Sequence, residues 1–267
     1  TLFDIPLFGT MAHSFIQAHQ DESDAFEHFA RSHPNNTVLL IDTYDTEAAA
    51  HKVVTLAKKL KTDRINIQGI RLDSGDLTEH AKNVRQILDE GGLQNTTIFA
   101  SGNLDEYKLQ TLLSARAPID GFGIGTALDI SIDAPSLDCA YKLQEYAGKP
   151  RRKRSEGKAT WPGRKQVYRQ YADDGCMADD IVALEDDDPQ QGESLIQPFM
   201  RSGKRLHPNP SLHELRSQTL VNYQRLPAAM TALDPAPGYP VTISSALRAM
   251  ADQLDKERVL HDRESAK

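Results

Sequence analysis

The sequence predicts an α/β fold built on a parallel sheet, on three observations. Short apolar runs lack the polar alternation of a half-exposed sheet, amphipathic segments of helical spacing separate them, and a glycine or aspartate marks nearly every junction. The runs are IPLF (5–8), TVLLI (37–41), INIQGI (65–70), TTIFA (96–100) and IDGFGI (119–124). Between them, Thr46 to Leu60 and Leu77 to Leu88 space their apolar residues as helices do. Five such β/α units in about 125 residues suit part of a (β/α) barrel, or one half of an open doubly wound sheet.

Beyond Tyr141 the texture changes, so a boundary is expected between residues 140 and 141. ATWPGRKQVYRQYA, with its Pro-Gly turn and its Val and Tyr residues, reads as strand or hairpin, and DDGCMADDIVAL as another strand. The acidic run Glu185 to Asp188 and PQQGES read as surface loops. His213 to Leu226 and Ser244 to Val259 carry helical spacing, the latter through Leu247, Met250, Ala251 and Leu254.

Composition excludes several classes of function. At 267 residues, 39% hydrophobic and 26% charged, the chain is ordinarily globular. No apolar run approaches the roughly 20 residues of a membrane span, and no basic-then-apolar leader opens the sequence, so a soluble, cytoplasmic protein is expected. A net charge of −7 argues against a nucleic-acid surface. One basic cluster, KPRRKR at 149–154, runs against that sign, as a solvated loop or a polyphosphate contact. Cys139 and Cys176 are too few for a thiolate zinc site and read as packing residues in a reducing compartment. The start, TLFDIPLFGT, lies so near a core strand that upstream sequence is expected to be missing.

Each strand ends in chemistry. Strand one runs into Gly9-Thr10-Met11-Ala12-His13-Ser14, strand two into Asp42-Thr43-Tyr44-Asp45, and strand three into Arg71, Asp73, Ser74, Gly75 and Asp76. Strand four gives Ser101-Gly102-Asn103, and strand five Gly123-Ile124-Gly125-Thr126. In parallel α/β sheets the loops after the carboxyl ends of the strands form the site, so all five stops are expected to face one cavity. Arg71 can pair with a carboxylate or phosphate, and Asp73 and Asp76 can hold sugar hydroxyls or a metal. Helix capping, with Asp73 or Ser74 as N-cap and Asp76 in the first turn, competes with that reading. SGN and FGIGT look like phosphate cradles of exposed backbone N–H groups, although Thr126 stands where a dinucleotide fingerprint needs its third glycine. His13 and His19 are six apart, a poor spacing for zinc. His13 reads as structural, or as a nucleophile or base with one ring nitrogen held by Asp42.

The set GTMAHS, LLIDTYDT, GIRLDSGDL, ASGNLDEY and FGIGTAL, in this order and spacing, closely resembles the nicotinate phosphoribosyltransferase family, and KRSEGKATWPGRKQVYR resembles its later motif. The resemblance implies a type II phosphoribosyltransferase fold: an irregular β/α barrel, here partial and carrying the active-site loops over residues 1–140, with 141–267 as the C-terminal α+β part of a second domain. It implies the joining of nicotinate to 5-phosphoribosyl 1-diphosphate in NAD salvage, coupled to ATP hydrolysis and requiring Mg²⁺, in a homodimer that binds neither nucleic acid nor membrane. By motif, His13 would be the phosphorylated histidine and Asp42 would orient it. Arg71 and Ser14 would meet nicotinate, and Asp73 would hold the ribose hydroxyls. Ser101, Gly102, Gly123, Gly125 and Thr126 would hold the 5-phosphate, and Lys153, Arg154 and Lys158 pyrophosphate or ATP.

The resemblance also implies an N-terminal region that this chain lacks, so the isolated chain is expected to be inactive or aggregation-prone. The rival readings are a nicotinamide phosphoribosyltransferase, which binds the amide, and an inactive phosphosugar-binding fragment. A quinolinate phosphoribosyltransferase, which uses no phosphohistidine, fits less well.

Overall fold

The computed structural model describes residues 5–137, 139–187 and 192–265, the last seven by their backbone alone. The chain forms two compact units, Thr1–Leu137 and Asp138–Lys267.

Unit 1 is a run of β/α units. Its elements are α1 (His13–Gln17), α2 (Glu22–Ser32), β1 (Val38–Leu40), α3 (Thr46–Leu60), β2 (Gly69–Leu72), α4 (Leu77–Glu90), β3 (Thr97–Ala100), α5 (Glu106–Ser114), β4 (Gly121–Phe122) and α6 (Thr126–Ile130). The strands form one parallel sheet in chain order, with Leu40 opposite Arg71, Arg71 opposite Phe99 and Phe99 opposite Gly121. Alternation along each strand sends Leu39, Ile70, Leu72, Ile98 and Ala100 to one face, where all five are fully buried. There the first four share a core with apolar side chains of the helices, among them Phe26, Val53, Leu60, Val84 and Leu88, and Ala100 joins a second cluster with Leu104 and Leu112. The opposite face carries Arg71 and Phe99, the latter 38% exposed.

An aspartate starts each long helix of this unit. The carboxylates of Asp21, Asp45, Asp76 and Asp105 accept from the backbone N–H of Ser23, Ala48, Thr78 and Lys108, satisfying donors that the helix leaves open. Asp76 accepts from Glu79 N–H as well, so it is the cap of α4 and neither Asp73 nor Ser74 is.

Two strand expectations need correction. Ile5–Phe8 is not a strand: the segment is irregular, with Leu7 81% and Phe8 93% exposed. Pro6 offers no N–H to a ladder, and among the described residues no strand pairs with the outer side of β1. The run 65–70 enters the sheet late, because Gln68 and Gly69 both direct their N–H groups at Thr37 O, at 2.9 and 3.3 Å. Strand β2 therefore continues through Arg71 to Leu72, and Arg71 belongs to the strand instead of to its end.

Unit 2 is α+β. A short hairpin, β5 (Glu145–Tyr146) with β6 (Lys149–Pro150), precedes the main sheet of β7 (Lys165–Tyr171), β8 (Met177–Leu184) and β9 (Glu193–Ser194), with β10 (Met200–Arg201) and β11 (Lys204–Arg205) as a second hairpin. Helices α7 (Leu212–Gln224) and α8 (Ala228–Thr231), strand β12 (Val241–Ile243) and helix α9 (Ser245–Ser265) complete it. The main sheet has the order β12-β8-β7-β9, with β7 and β8 antiparallel and β12 parallel to β8. Helix α9 brings the buried Leu247 and Ala251 to this unit. Arg169 grips Asp180 with two hydrogen bonds of 2.9 Å, which raises the guanidinium pKa further. Among the described residues no helix is long and apolar enough to cross a membrane.

Candidate functional site

The carboxyl ends of β1, β2 and β3 interlock. Asp42, two residues beyond β1, accepts at Oδ2 from Asp73 N–H at 2.9 Å and from the Ser74 hydroxyl at 2.5 Å. Asp73, just beyond β2, takes a short hydrogen bond at Oδ1 from the Ser101 hydroxyl, just beyond β3. Its other oxygen stands 3.7 Å from His13 Nε2. The opposite ring nitrogen of His13, Nδ1, lies 3.1 Å from the Thr43 hydroxyl. Thr10 anchors the preceding segment by donating its hydroxyl to Val38 O. His13, Asp42, Asp73 and Ser101 are thus linked, although 88 residues separate the first from the last.

Asp42, expected to orient His13, makes no hydrogen bond to it in this structure. Its Oδ2 is committed to the Asp73–Ser74 turn and its Oδ1 is buried with no hydrogen-bond partner, while Thr43 occupies the ring nitrogen. Sequence reasoning missed Thr43, whose hydroxyl is too common a group to stand out between two aspartates. Ser14, next to His13 on α1, is exposed.

Gly102 shows why that loop needs glycine. Its φ is +94°, and a Cβ there would lie 1.7 Å from the carbonyl oxygen of Asp73. The expectation of free amides on these loops holds only in part. Ser101 N–H donates to Leu72 O and Gly123 N–H to Ala100 O, both at 2.8 Å, so the sheet consumes them. Ser101 Oγ, the Gly102 turn and the start of α6 at Gly125 and Thr126 are what the loops present. Lys108 adds a cation nearby, with Nζ 2.6 Å from Asn103 O.

A cavity of about 460 Å³ opens on the sheet face opposite the helices, walled by Thr10, Arg71, Phe99, Ser101 and Gly123 among others. Arg71 Nε is buried there without a hydrogen-bond partner, a cost that a bound anionic or carbonyl group would relieve. Gly121 keeps the cavity's floor clear: a Cβ there would lie 2.5 Å from the Phe99 ring. Lys153, Arg154 and Lys158 belong to unit 2, where Arg154 pairs with Asp255 at 3.3 Å and Arg152 lies over Trp161.

Fold and loops together define the class: a parallel α/β protein that gathers polar side chains at the carboxyl end of its sheet, where such sheets hold ligands. The pattern of the nicotinate phosphoribosyltransferase family matches residues 1–158, and that of the nicotinate phosphoribosyltransferase C-terminal domain matches 188–251. The chain belongs to the nicotinate phosphoribosyltransferase family. It is 46% identical over 244 residues to a nicotinate phosphoribosyltransferase of Mycobacterium tuberculosis, covering 91% of this chain and 52% of the relative. It is 42% identical over 174 residues to that of Bacillus subtilis, covering 62% and 35%. The chain spans about half the length of the M. tuberculosis relative. Among solved structures, human nicotinic acid phosphoribosyltransferase superposes with a TM-score of 0.80 over 95% of this chain and 62% of that one; at 23% identity the likeness is one of fold. A nicotinate-nucleotide pyrophosphorylase of Pyrococcus furiosus matches with a TM-score of 0.67 at 27% identity, over 84% and 56%.

Proposed function

We propose that this chain carries the reaction centre of a nicotinate phosphoribosyltransferase, which joins nicotinate to 5-phosphoribosyl 1-diphosphate and releases pyrophosphate, in cytoplasmic NAD salvage. The observation that supports it most is the linked set His13, Asp73 and Ser101 within a chain of this family. In this reading Asp73 holds the ribose hydroxyls. Its negative charge stabilises the positive charge that develops at C1 as the bond to pyrophosphate breaks and the nicotinate nitrogen attacks. Arg71, with an unpartnered Nε in the cavity wall, receives the nicotinate carboxylate, helped by Ser14. Gly102, Gly125 and Thr126 hold the 5-phosphate, and Ser101 joins them by turning its hydroxyl from Asp73 to the phosphate.

ATP coupling through His13 is part of the same proposal. The ring attacks the γ-phosphorus of ATP, ADP departs, and the labile N–P bond holds the free energy until phosphoribosyl transfer. The Thr43 hydroxyl can accept from Nδ1–H or donate to Nδ1; the phosphoryl transfer needs the first arrangement, which leaves the lone pair on Nε2. Among the described residues no group of three or more His, Cys, Asp or Glu could cage a metal. Mg²⁺ would therefore be held chiefly by phosphate oxygens and water, with Asp73 the carboxylate placed to join it. Bound there, the ion would neutralise charge on the phosphates. A homodimer is proposed for the full-length protein.

The test is incubation with γ-labelled ATP and Mg²⁺, with His13→Ala as control, then addition of nicotinate and phosphoribosyl diphosphate. Acid-labile label that needs His13 and is followed by nicotinate mononucleotide is the expected result for a chain extended to the length of its relatives. Absence of both from this chain and from a chain extended to the length of its relatives would overturn the reading.

A further inference from the structure

Two site loops feed helices whose first turns are tied together. The loop after β1, carrying Asp42 and Thr43, enters α3, with Glu47 in its first turn; the loop after β2, carrying Asp73 to Asp76, enters α4, where His80 closes the first turn on Asp76 O at 2.9 Å. His80 Nδ1 lies 2.9 Å from Glu47 Oε1, and Asn83 donates to the same oxygen at 3.2 Å. Burial pushes the Glu47 carboxyl up, but the hydrogen bonds from His80 and Asn83 outweigh it and hold the group below its ordinary range. The other edge of the His80 ring faces Gly75, where a Cβ would lie 2.7 Å from Nε2 and φ is +76°. A histidine in a first turn gains nothing from the helix dipole, so the stability of α4 alone does not account for it.

We propose that His80 is a positioning residue, which ties α4 to α3 through Glu47 and, through its ring against Gly75, fixes the turn that seats Asp73 on Asp42 and aims it at His13. Its effect on turnover rests on the function proposed above; the tie between the helices does not.

The test measures amide deuterium exchange at residues 73–76, and calorimetric binding of Mg²⁺–phosphoribosyl diphosphate, in the wild-type chain, His80→Ala and His80→Asn. Losing a hydrogen bond to a charged group should speed exchange of the Asp73 amide, which donates to Asp42 Oδ2, and weaken binding, by about tenfold in His80→Ala. Exchange at Ile70 and Ile98 should stay unchanged. Asparagine, whose amide can stand where Nδ1 does but which lacks the ring edge against Gly75, should recover part of both. Unchanged exchange in His80→Ala, or equal impairment in both variants, would overturn the proposal. Should His80→Ala fail to fold, Glu47→Leu decides on the same readouts from the other side of the bond. If exchange follows the expected pattern while the wild-type chain binds no phosphoribosyl diphosphate, the substrate reading falls and the positioning role stands.

Discussion

At the residue scale the site is governed by short-range exclusions. The hydroxyl of Thr43 is the group within hydrogen-bond reach of His13 Nδ1. Thr43→Val, which keeps the shape and loses the hydroxyl, should shift the imidazole ¹⁵N resonances toward a mixture of tautomers and slow histidine phosphorylation about tenfold, with Thr43→Ser close to wild type. Unmoved ¹⁵N shifts would remove Thr43 from the mechanism. Gly102 is a steric requirement: alanine there would meet both the left-handed backbone and the Asp73 carbonyl. Gly102→Ala should cost about 2 kcal/mol or more in chemical denaturation. At this scale the sequence was readable where a charged residue or a glycine directly follows an apolar run, which placed Asp73 and Gly102 just beyond their strands. Thr43 and His80 were not readable, because their partners lie 30 and 33 residues away and depend on how two loops fall together.

Elements were more legible than residues, helices above all. The spacing of Ala49, Ala50, Val53, Leu56 and Leu60 places α3 at Thr46–Leu60, as observed, because a long amphipathic period and an aspartate cap agree. Strand ends were less legible, since a strand exists only by its partner: IPLF has apolar residues but no ladder, and β2 begins where Thr37 releases its carbonyl. Asp76→Ala removes the cap of α4 and should cost about 1 kcal/mol, read by denaturant titration. Glu22, at the start of α2, is 4% exposed, and its Oε1 has no partner. Burial raises its pKa even with Lys52 Nζ 3.1 Å away. A folded-state pKa above the unfolded one favours the neutral acid, so this contribution to stability is complete below the ordinary carboxylate range and is lost as pH rises through the raised value. Glu22→Gln should therefore raise Tm at neutral pH and leave it unchanged in acid, and thermal melts at both conditions check this.

At the scale of the whole molecule, large apolar side chains lie open in both units. Leu128 is 72% exposed, Ile132 69% and Leu137 94%, and helix α7 buries none of its side chains although it carries Leu212, Leu215, Leu220 and Val221. Residues 1–267 should therefore bind a hydrophobic dye and self-associate, seen as a mass that grows with concentration in light scattering. A monodisperse, dye-silent monomer would contradict this. The α/β class was legible because apolar runs and amphipathic segments alternate over more than a hundred residues. The uncovered helix α7 was not, because a helical period shows that a face exists without showing what lies against it.

The strand order β1-β2-β3-β4 bears on how the sheet can be made. Each strand pairs with the next one in the chain, so the ladders join residues 38 with 69, 69 with 97, and 99 with 121. Among the described residues no pairing in this sheet waits for a distant segment, and each closes a loop of similar, modest length. A chain emerging from the ribosome can thus dock every new β/α unit onto the one just finished. The loops bearing His13, Asp42, Asp73 and Ser101 would come into register in the order of their synthesis.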